Sequence, residues 1–257
     1  MREGNFKLID KRPISESGLL WRLSFEAPDI EAEPGQFVNI GINSHYLRRP
    51  ISVSEYDDGV LTLIVQVVGD GTLRLVATPV GQKVNMLTGL GNRFYVPDAL
   101  EKGIVLLLGG GVGYAPLVGW LKKLYKETDL CPVTVFGFNS AADVPLDHIA
   151  ELREEGFPIE YSTMTGEMGD CGNALEVMQE YIEIDNLNPV YFYTCGPMPM
   201  MKAVGEAFDF DGQLSLEARM GCGFGACMGC SIQTADGPRR ICKEGPVFSK
   251  SQLKIKN

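Results

Sequence analysis

Positive charge is scarce in this chain. Its 257 residues carry 23 Lys and Arg against 33 Asp and Glu, a formal net charge of −10. Polyanion binding needs clustered Lys and Arg to neutralise phosphates, so nucleic acid is not expected as a partner. The first residues, Met1-Arg2-Glu3-Gly4-Asn5, lack the apolar run of a secretory signal. A cytoplasmic, reducing location is therefore expected, where the seven cysteines are not read as disulfides. Internal repeats and low-complexity segments are lacking too. Only Gly103 to Leu121 is free of charge for long enough to resemble a membrane span. Its six glycines and Pro116 fit a buried strand, a glycine turn and a helix start better, so no membrane association is expected.

What is present is an ordinary globular composition, 45% hydrophobic and 22% charged, with thirty glycines gathered at a few places. Trp21, Leu23, Phe25 and Ala27 alternate with Arg22, Ser24 and Glu26, the period of a half-buried strand. Val38, Ile40 and Ile42 continue the theme after Pro34-Gly35, and Val60 to Val68 is an apolar, β-branched run behind the turn signal Asp57-Asp58-Gly59. Residues 1–98 therefore read as a small antiparallel β-barrel. Near Pro97 the pattern changes. Ile104 to Leu108 is a continuous apolar run, and Leu117, Trp120, Leu121 and Leu124 form a helical stripe that starts at Pro116. Strands at Val133 to Phe138, Ile159 to Thr163 and Val190 to Thr194 alternate with helices at Leu146 to Glu155 and Ala174 to Ile184. Residues 99–212 thus read as a Rossmann-like parallel α/β nucleotide-binding domain. The whole is a mixed β and α/β chain, with residues 213–257 left as a small tail too poor in apolar residues for its own core.

That tail holds Cys222-x4-Cys227-x2-Cys230-x11-Cys242. This spacing is that of plant-type [2Fe–2S] sites. Gly221, Gly223, Gly225 and Gly229 let the backbone wrap closely and aim N–H groups at sulfur. The alternative is a four-cysteine zinc site, although zinc tails usually pair two CxxC units and only Cys227 and Cys230 form one. Cys131, Cys171 and Cys195 stand apart and are expected as buried thiols.

Gly109-Gly110-Gly111-Val112-Gly113 follows a strand and opens a helix, where a pyrophosphate can approach the backbone and meet the helix N-terminus. Thr194-Cys195-Gly196-Pro197 also ends a strand on the ligand-binding edge of such sheets. Cys195 could face a nicotinamide ring or could simply be a small buried residue. Between Lys126 and Arg153 there is no Lys or Arg, Asp143 follows the second strand, and Thr163-Met164-Thr165-Gly166 is equally free of cations. NADH is favoured over NADPH on that account. In the barrel, Arg49 of Arg48-Arg49-Pro50-Ile51-Ser52 can grip a pyrophosphate, and Gly69-Asp70-Gly71-Thr72 can offer N–H groups to it. Alone, the first motif also suits a strand edge and the second a turn.

In this order the motifs resemble those of the ferredoxin reductase-like flavoprotein family over nearly the whole chain. More narrowly, they are similar to those of electron-transfer subunits of class B dihydroorotate dehydrogenase. The resemblance implies an N-terminal FAD-binding barrel, a central NAD-binding domain and a C-terminal [2Fe–2S] domain. It implies FAD contacts at Arg49, Pro50, Ile51, Ser52, Ile64, Val65, Gln66, Gly71 and Thr72, with Gln66 standing where members often carry Lys or Arg. NAD would lie over Gly109, Gly110, Gly111 and Gly113 and over Cys195, Gly196 and Pro197, with Cys222, Cys227, Cys230 and Cys242 as iron ligands. Glu217, just before the cysteine loop, would either orient a ring or be a surface residue. The implied partner is an FMN-containing dihydroorotate dehydrogenase catalytic subunit in a two-plus-two heterotetramer serving pyrimidine biosynthesis. A reductase subunit of a sulfide dehydrogenase or ferredoxin-dependent complex shares this build. From another class, a non-redox adapter with a zinc tail is the competing reading.

Overall fold

The computed structural model describes residues 1–43 and 45–253, so residues 254–257 of the expected tail lie outside the described residues. The alternating segments form six antiparallel strands, β1 (Arg2–Pro13), β2 (Leu20–Glu26), β3 (Phe37–Ile40), β4 (Arg49–Asp57), β5 (Val60–Gln66) and β6 (Lys83–Leu90). They close into a barrel in the order β1-β2-β5-β4-β3-β6. Leu23 and Phe25 of β2 meet Leu61, Leu63 and Val65 of β5 in its interior, each fully buried. Burying a side chain of that size contributes roughly 1.5–3 kcal/mol. Between β5 and β6, Gly69-Asp70-Gly71-Thr72 does more than turn: it opens helix α1 (Asp70–Ala77). The Thr72 hydroxyl accepts from the N–H groups of Val68 and Gly69 at 2.9 and 3.3 Å, while Leu75 and Val76 seal the barrel end.

The second half alternates β7 (Lys102–Gly110), α2 (Tyr114–Glu127), β8 (Asp129–Phe138), α3 (Leu146–Glu154), β9 (Glu160–Thr163), β10 (Asp170–Cys171), α4 (Ala174–Ile184), β11 (Pro189–Cys195), α5 (Met198–Ala207) and β12 (Gly212–Ser215). After β12 the chain leaves the sheet, folds the hairpin β13 (Ser231–Thr234) and β14 (Gly237–Arg240), and returns as β15 (Val247–Ser249). The sheet order is β10-β9-β8-β7-β11-β12-β15, parallel except where β15 runs against β12. Both ends of the cysteine-bearing excursion are thereby stitched into the central sheet. Among the described residues no helix is long and apolar enough to cross a membrane.

The uncharged stretch at 103–121 has its cause in α2. Leu117, Trp120, Leu121 and Leu124 pack on the sheet, with Trp120 5.1 Å from the Tyr193 ring. The opposite side is covered by the barrel. A Cβ at Gly119 would overlap the Ser54 carbonyl oxygen of β4 and come within 3.1 Å of Pro34. The Ser54 hydroxyl donates to the Ala115 carbonyl at 3.0 Å, and Lys122 bridges Glu55 of the barrel and Glu155 after α3, at 2.7 Å each. A helix covered on both sides has no solvent face over its first two turns, hence no charge there. The expectation of buried thiols fails at two positions: Cys131 and Cys171 are exposed. Cys131 lies on the outward side at the start of β8, and Cys171 lies on β10, at the sheet's edge.

His148 of α3 is 2% exposed, and its Nδ1 lies 3.3 Å from the Tyr114 hydroxyl. Burial lowers its pKa to about 4, helped by the positive charge of Arg22 and opposed by Glu151. The unfolded chain takes up a proton near pH 6.5, whereas the folded chain resists until about pH 4. Stability is therefore unaffected by this group above pH 6.5 and falls as pH drops through that window, by about 3 kcal/mol in all. Thermal unfolding of the wild type and the His148→Gln variant from pH 7 to pH 4 is expected to show a shallower fall for the variant; parallel curves would refute the assignment.

Candidate functional site

Along the seam between barrel and sheet lies a cavity of about 310 Å³. Arg49, Pro50, Ile51 and Ser52 from β4, Ile64 and Gln66 from β5, and Thr72 from α1 line it. Strand alternation explains the member that does not: Val65 points the other way, into the barrel core. Gly71 sits under the arginine, since a Cβ there would lie 2.8 Å from Arg49 Cζ. Arg49 Nη1 donates to the Leu47 carbonyl at 2.5 Å, fixing the guanidinium against the first turn of α1. A cation beside a helix N-terminus, itself positive, is unfavourable until an anion joins them. The nearby Asp70 carboxylate is engaged by Arg74 at 2.8 Å and His45 at 3.1 Å. The far wall comes from Val112, Pro116, Leu216, Ala218, Met220 and Pro246. The last four carry no motif and were not legible in the sequence.

A second cavity, of about 840 Å³, opens over the glycine turn. Gly110, Gly111, Gly113, Gly196 and Pro197 line it, but Gly109 and Cys195 do not. The glycines divide by task. Gly111 has φ +53° and no atom within 4 Å of where a Cβ would be, leaving its backbone open. A Cβ at Gly109 would meet the Phe136 ring and Tyr114, and one at Gly113 would lie 2.6 Å from the Cys195 carbonyl carbon. These two permit close packing. Cys195 is 2% exposed, and burial raises its thiol pKa, with the Glu217 charge acting in the same direction.

Among the described residues no Lys or Arg lines the second cavity, whereas Glu176 and Glu217 do, together with Asn139, Met164 and Gln179. Asp143 is not part of its wall; its carboxylate accepts from the Ser140 hydroxyl at 2.9 Å. Gln66, Val112, Gly113 and Glu217 line both cavities and form their common wall. Glu217 is open on one side, yet the surrounding protein strips enough water from its carboxyl to raise its pKa.

Five residues beyond Glu217 the cysteine loop begins. Its four sulfurs fall into two pairs. The Cys222 thiol accepts from the N–H groups of Ala226 at 3.2 Å and Cys227 at 3.4 Å, and Cys230 accepts from the Cys242 N–H at 3.4 Å. Burial would raise the pKa of Cys222, but the N–H groups of Cys227, Phe224 and Ala226 outweigh it and bring the thiol down to about 6. Cys242 is pushed up to about 12 by burial and by Cys230. The inner pair, Cys230 and Cys242, belongs to the apolar core under the sheet, with Leu106, Phe192 and Leu214. The outer pair is half-buried at Cys222 and exposed at Cys227. Among the described residues, no three His, Cys, Asp or Glu side chains gather around a single metal position. Paired thiols with N–H groups aimed at sulfur fit a two-iron cluster, which takes two thiolates at each iron.

Comparison with known proteins agrees with this layout. Residues 217–254 match the iron–sulfur cluster binding domain of dihydroorotate dehydrogenase B, and residues 107–206 match the oxidoreductase NAD-binding domain. A protein of Fusobacterium nucleatum subsp. nucleatum, named dihydroorotate dehydrogenase B (NAD(+)), electron transfer subunit, is 37% identical over 86% of this chain and 87% of its own. One of the same name from Lysinibacillus sphaericus is 35% identical over 99% of this chain and 100% of its own. Among solved structures, an NADH-dependent reduced ferredoxin-NADP oxidoreductase superposes with a TM-score of 0.84 at 25% identity, covering 98% of this chain and 90% of that one. Phthalate dioxygenase reductase, at 15% identity and a TM-score of 0.60 over 79% of this chain and 63% of that one, shares the fold.

Gly113 has helical backbone angles, φ −62° and ψ −13°, so alanine there is penalised by contact alone. The Gly113→Ala variant is expected to lose about 1–3 kcal/mol by overpacking against Cys195. For a chain of this size that lowers Tm by about 2–4 °C per kcal/mol. An unchanged Tm would mean that the turn does not press on the end of β11.

Proposed function

The chain belongs to the electron-transfer subunits of dihydroorotate dehydrogenase B, and from that premise we propose how its residues carry the activity. It is an NAD-linked oxidoreductase subunit that carries electrons between NAD and a catalytic dihydroorotate dehydrogenase partner, with FAD and a [2Fe–2S] cluster, in pyrimidine biosynthesis. FMN in that partner, a two-plus-two heterotetramer and a cytoplasmic location belong to the proposal. So does the division into a flavin barrel at 1–98, a nucleotide domain at 99–212 and a cluster tail at 213–257.

One observation carries the assignment of sites: the two cavities share a wall of Gln66, Val112, Gly113 and Glu217. A ring in the first cavity and a ring in the second would be neighbours at that wall, a few residues from the cysteine loop. FAD, when bound, exchanges a hydride with nicotinamide and single electrons with an iron–sulfur cluster, which places it between the two. Arg49 and the first turn of α1, with Gly71 and Thr72, hold its pyrophosphate. Pro50, Ile51, Ser52, Ile64 and Gln66 shape the ring pocket with their side chains, and Val65 with its backbone. Gly110, Gly111, Gly196 and Pro197 receive the dinucleotide, while Gly109, Gly113 and Cys195 support that surface from beneath. The absence of Lys and Arg from the wall among the described residues favours NADH, because a 2′-phosphate would find no cation there. Cys222 with Cys227 and Cys230 with Cys242 each hold one iron.

Anaerobically purified protein is expected to show flavin bands and a reddish-brown cluster absorption, both bleached by NADH. Its complex with the catalytic subunit should reduce NAD+ at the expense of dihydroorotate. Folded protein without iron and acid-labile sulfide would overturn the reading. The Arg49→Ala variant is expected to bind FAD about ten- to a hundredfold more weakly, the value of a hydrogen bond to a charged group. Its iron content should stay unchanged. Full FAD occupancy in that variant would remove Arg49 from the pyrophosphate grip.

A further inference from the structure

β3 is buried along its whole length, and three of its four residues, Phe37, Val38 and Ile40, are apolar. The fourth is Asn39, 1% exposed. In the β3–β4 register it faces Pro50, the neighbour of Arg49, so it stands directly behind the ring pocket. Its carbonyl accepts from Arg48 Nη1 at 3.3 Å. Its side chain turns outward from the barrel, and Nδ2 donates to the Cys222 carbonyl at 3.1 Å, across 183 residues of sequence. Cys222 is the first of the four cysteines.

The loop is shaped to receive that amide. Gly223 has φ +78°, a conformation that side chains disfavour, and a Cβ there would overlap the amide nitrogen of Asn39. Backbone and amide therefore lie in direct contact. The other hydrogen bonds described for the loop come from the tail itself: Ala226 and Cys227 to Cys222 Sγ, the Ser231 hydroxyl to Met228, and Arg240 Nη1 to the Gly225 carbonyl at 2.6 Å. Asn39 makes the one hydrogen bond among the described residues that ties the stretch from Cys222 to Cys230 to the barrel, whereas Asn92, after β6, holds the tail's return at Glu244, Gly245 and Val247. Meanwhile its Oδ1 is buried without a hydrogen-bond partner among the described residues. An aliphatic residue would fill this strand position without leaving a polar atom unpaired. The amide is explained by what its nitrogen holds.

We propose that Asn39 is the positioning residue that fixes the cluster loop to the flavin barrel, and so sets the placement of the cluster relative to the flavin. The proposal rests on the cofactor reading given above. It places a partner of the ligand loop, of the kind that orients metal ligands and tunes their site, on the flavin-binding unit rather than in the cluster tail. Electron flow then depends on a contact that neither unit makes alone.

The test uses the full chain with its cofactors, NADH as hydride donor and ferricyanide as one-electron oxidant. Each NADH gives two electrons to the flavin, and the cluster hands them singly to two ferricyanide ions. In the Asn39→Leu variant, of the same branched outline and without a donor, flavin bleaching by NADH should keep its rate. Cluster reduction by the flavin should slow about tenfold, the lower range for loss of an outer-shell partner. The electron paramagnetic resonance spectrum of the dithionite-reduced cluster should shift as well. The Asn39→Ala variant removes the donor without adding bulk and should show the same split of unchanged flavin bleaching, slower cluster reduction and a shifted resonance spectrum, which a mere loss of stability would not produce.

Wild-type cluster reduction and resonance spectrum in Asn39→Leu would overturn the proposal. Should that variant fail to fold, wild-type cluster reduction and resonance spectrum in Asn39→Ala would overturn it equally. Wild-type protein lacking iron or flavin would instead sink the underlying cofactor reading, an outcome visible before any variant is made.

Discussion

A backbone carbonyl resting where a helix has no side chain holds this molecule together. Ser54 of β4 lies against Gly119 of α2, closer than any Cβ would allow. Through that contact the barrel reaches the N-terminal half of the helix that Gly113 caps. The ion pairs from Lys122 to Glu55 and Glu155 flank the same seam. Interiors pack densely and resist small displacements. The flavin-side and nucleotide-side cavities consequently share a wall of four residues instead of facing each other across solvent.

The glycine turn shows how much one short segment does. Gly111 keeps its backbone open toward a ligand, while Gly109 and Gly113 are pressed on Phe136 and on the end of β11. A run of like residues in the sequence thus serves both ligand approach and packing, and the sequence does not say which glycine does which. The cysteine tail divides in the same way. Its inner pair is anchored in the core below the sheet, and its outer pair lies toward the surface. Such an arrangement holds the loop firmly on one side and leaves the other open toward solvent.

Much of this was readable from residue order. The alternation around Trp21, the apolar run at Ile104 and the helical stripe after Pro116 gave the barrel, the sheet and α2, because each reports a local period. The cysteine spacing and the Arg49 to Ser52 motif point to candidate sites for the same reason, since such chemistry calls for particular residue types close together. What depended on distant chain was not readable. Gly69 to Thr72 looks like a turn because the barrel end that α1 caps is formed by other strands. Val65 was grouped with Ile64 and Gln66, although strand alternation turns it to the core. Cys131 and Cys171 were expected inside by the habits of their residue type, but each lies on an outward or edge position of the sheet. Asn39 gave no signal, for its partner is 183 residues away.

The strands that bound the excursion have a consequence of their own. β12 and β15 are hydrogen-bonded neighbours, so the segment between them departs and returns at almost the same point. Asn92 reinforces the closure, with its side chain accepting from the Val247 N–H at 2.8 Å and donating to the Val247 carbonyl at 2.7 Å. A segment whose ends are already joined can change length at little entropic cost and without altering strand register. The architecture is therefore that of a socket: a different metal module grafted between Met220 and Pro246 would leave in place the residues from Leu216 to Met220 and Pro246 that help wall the two cavities.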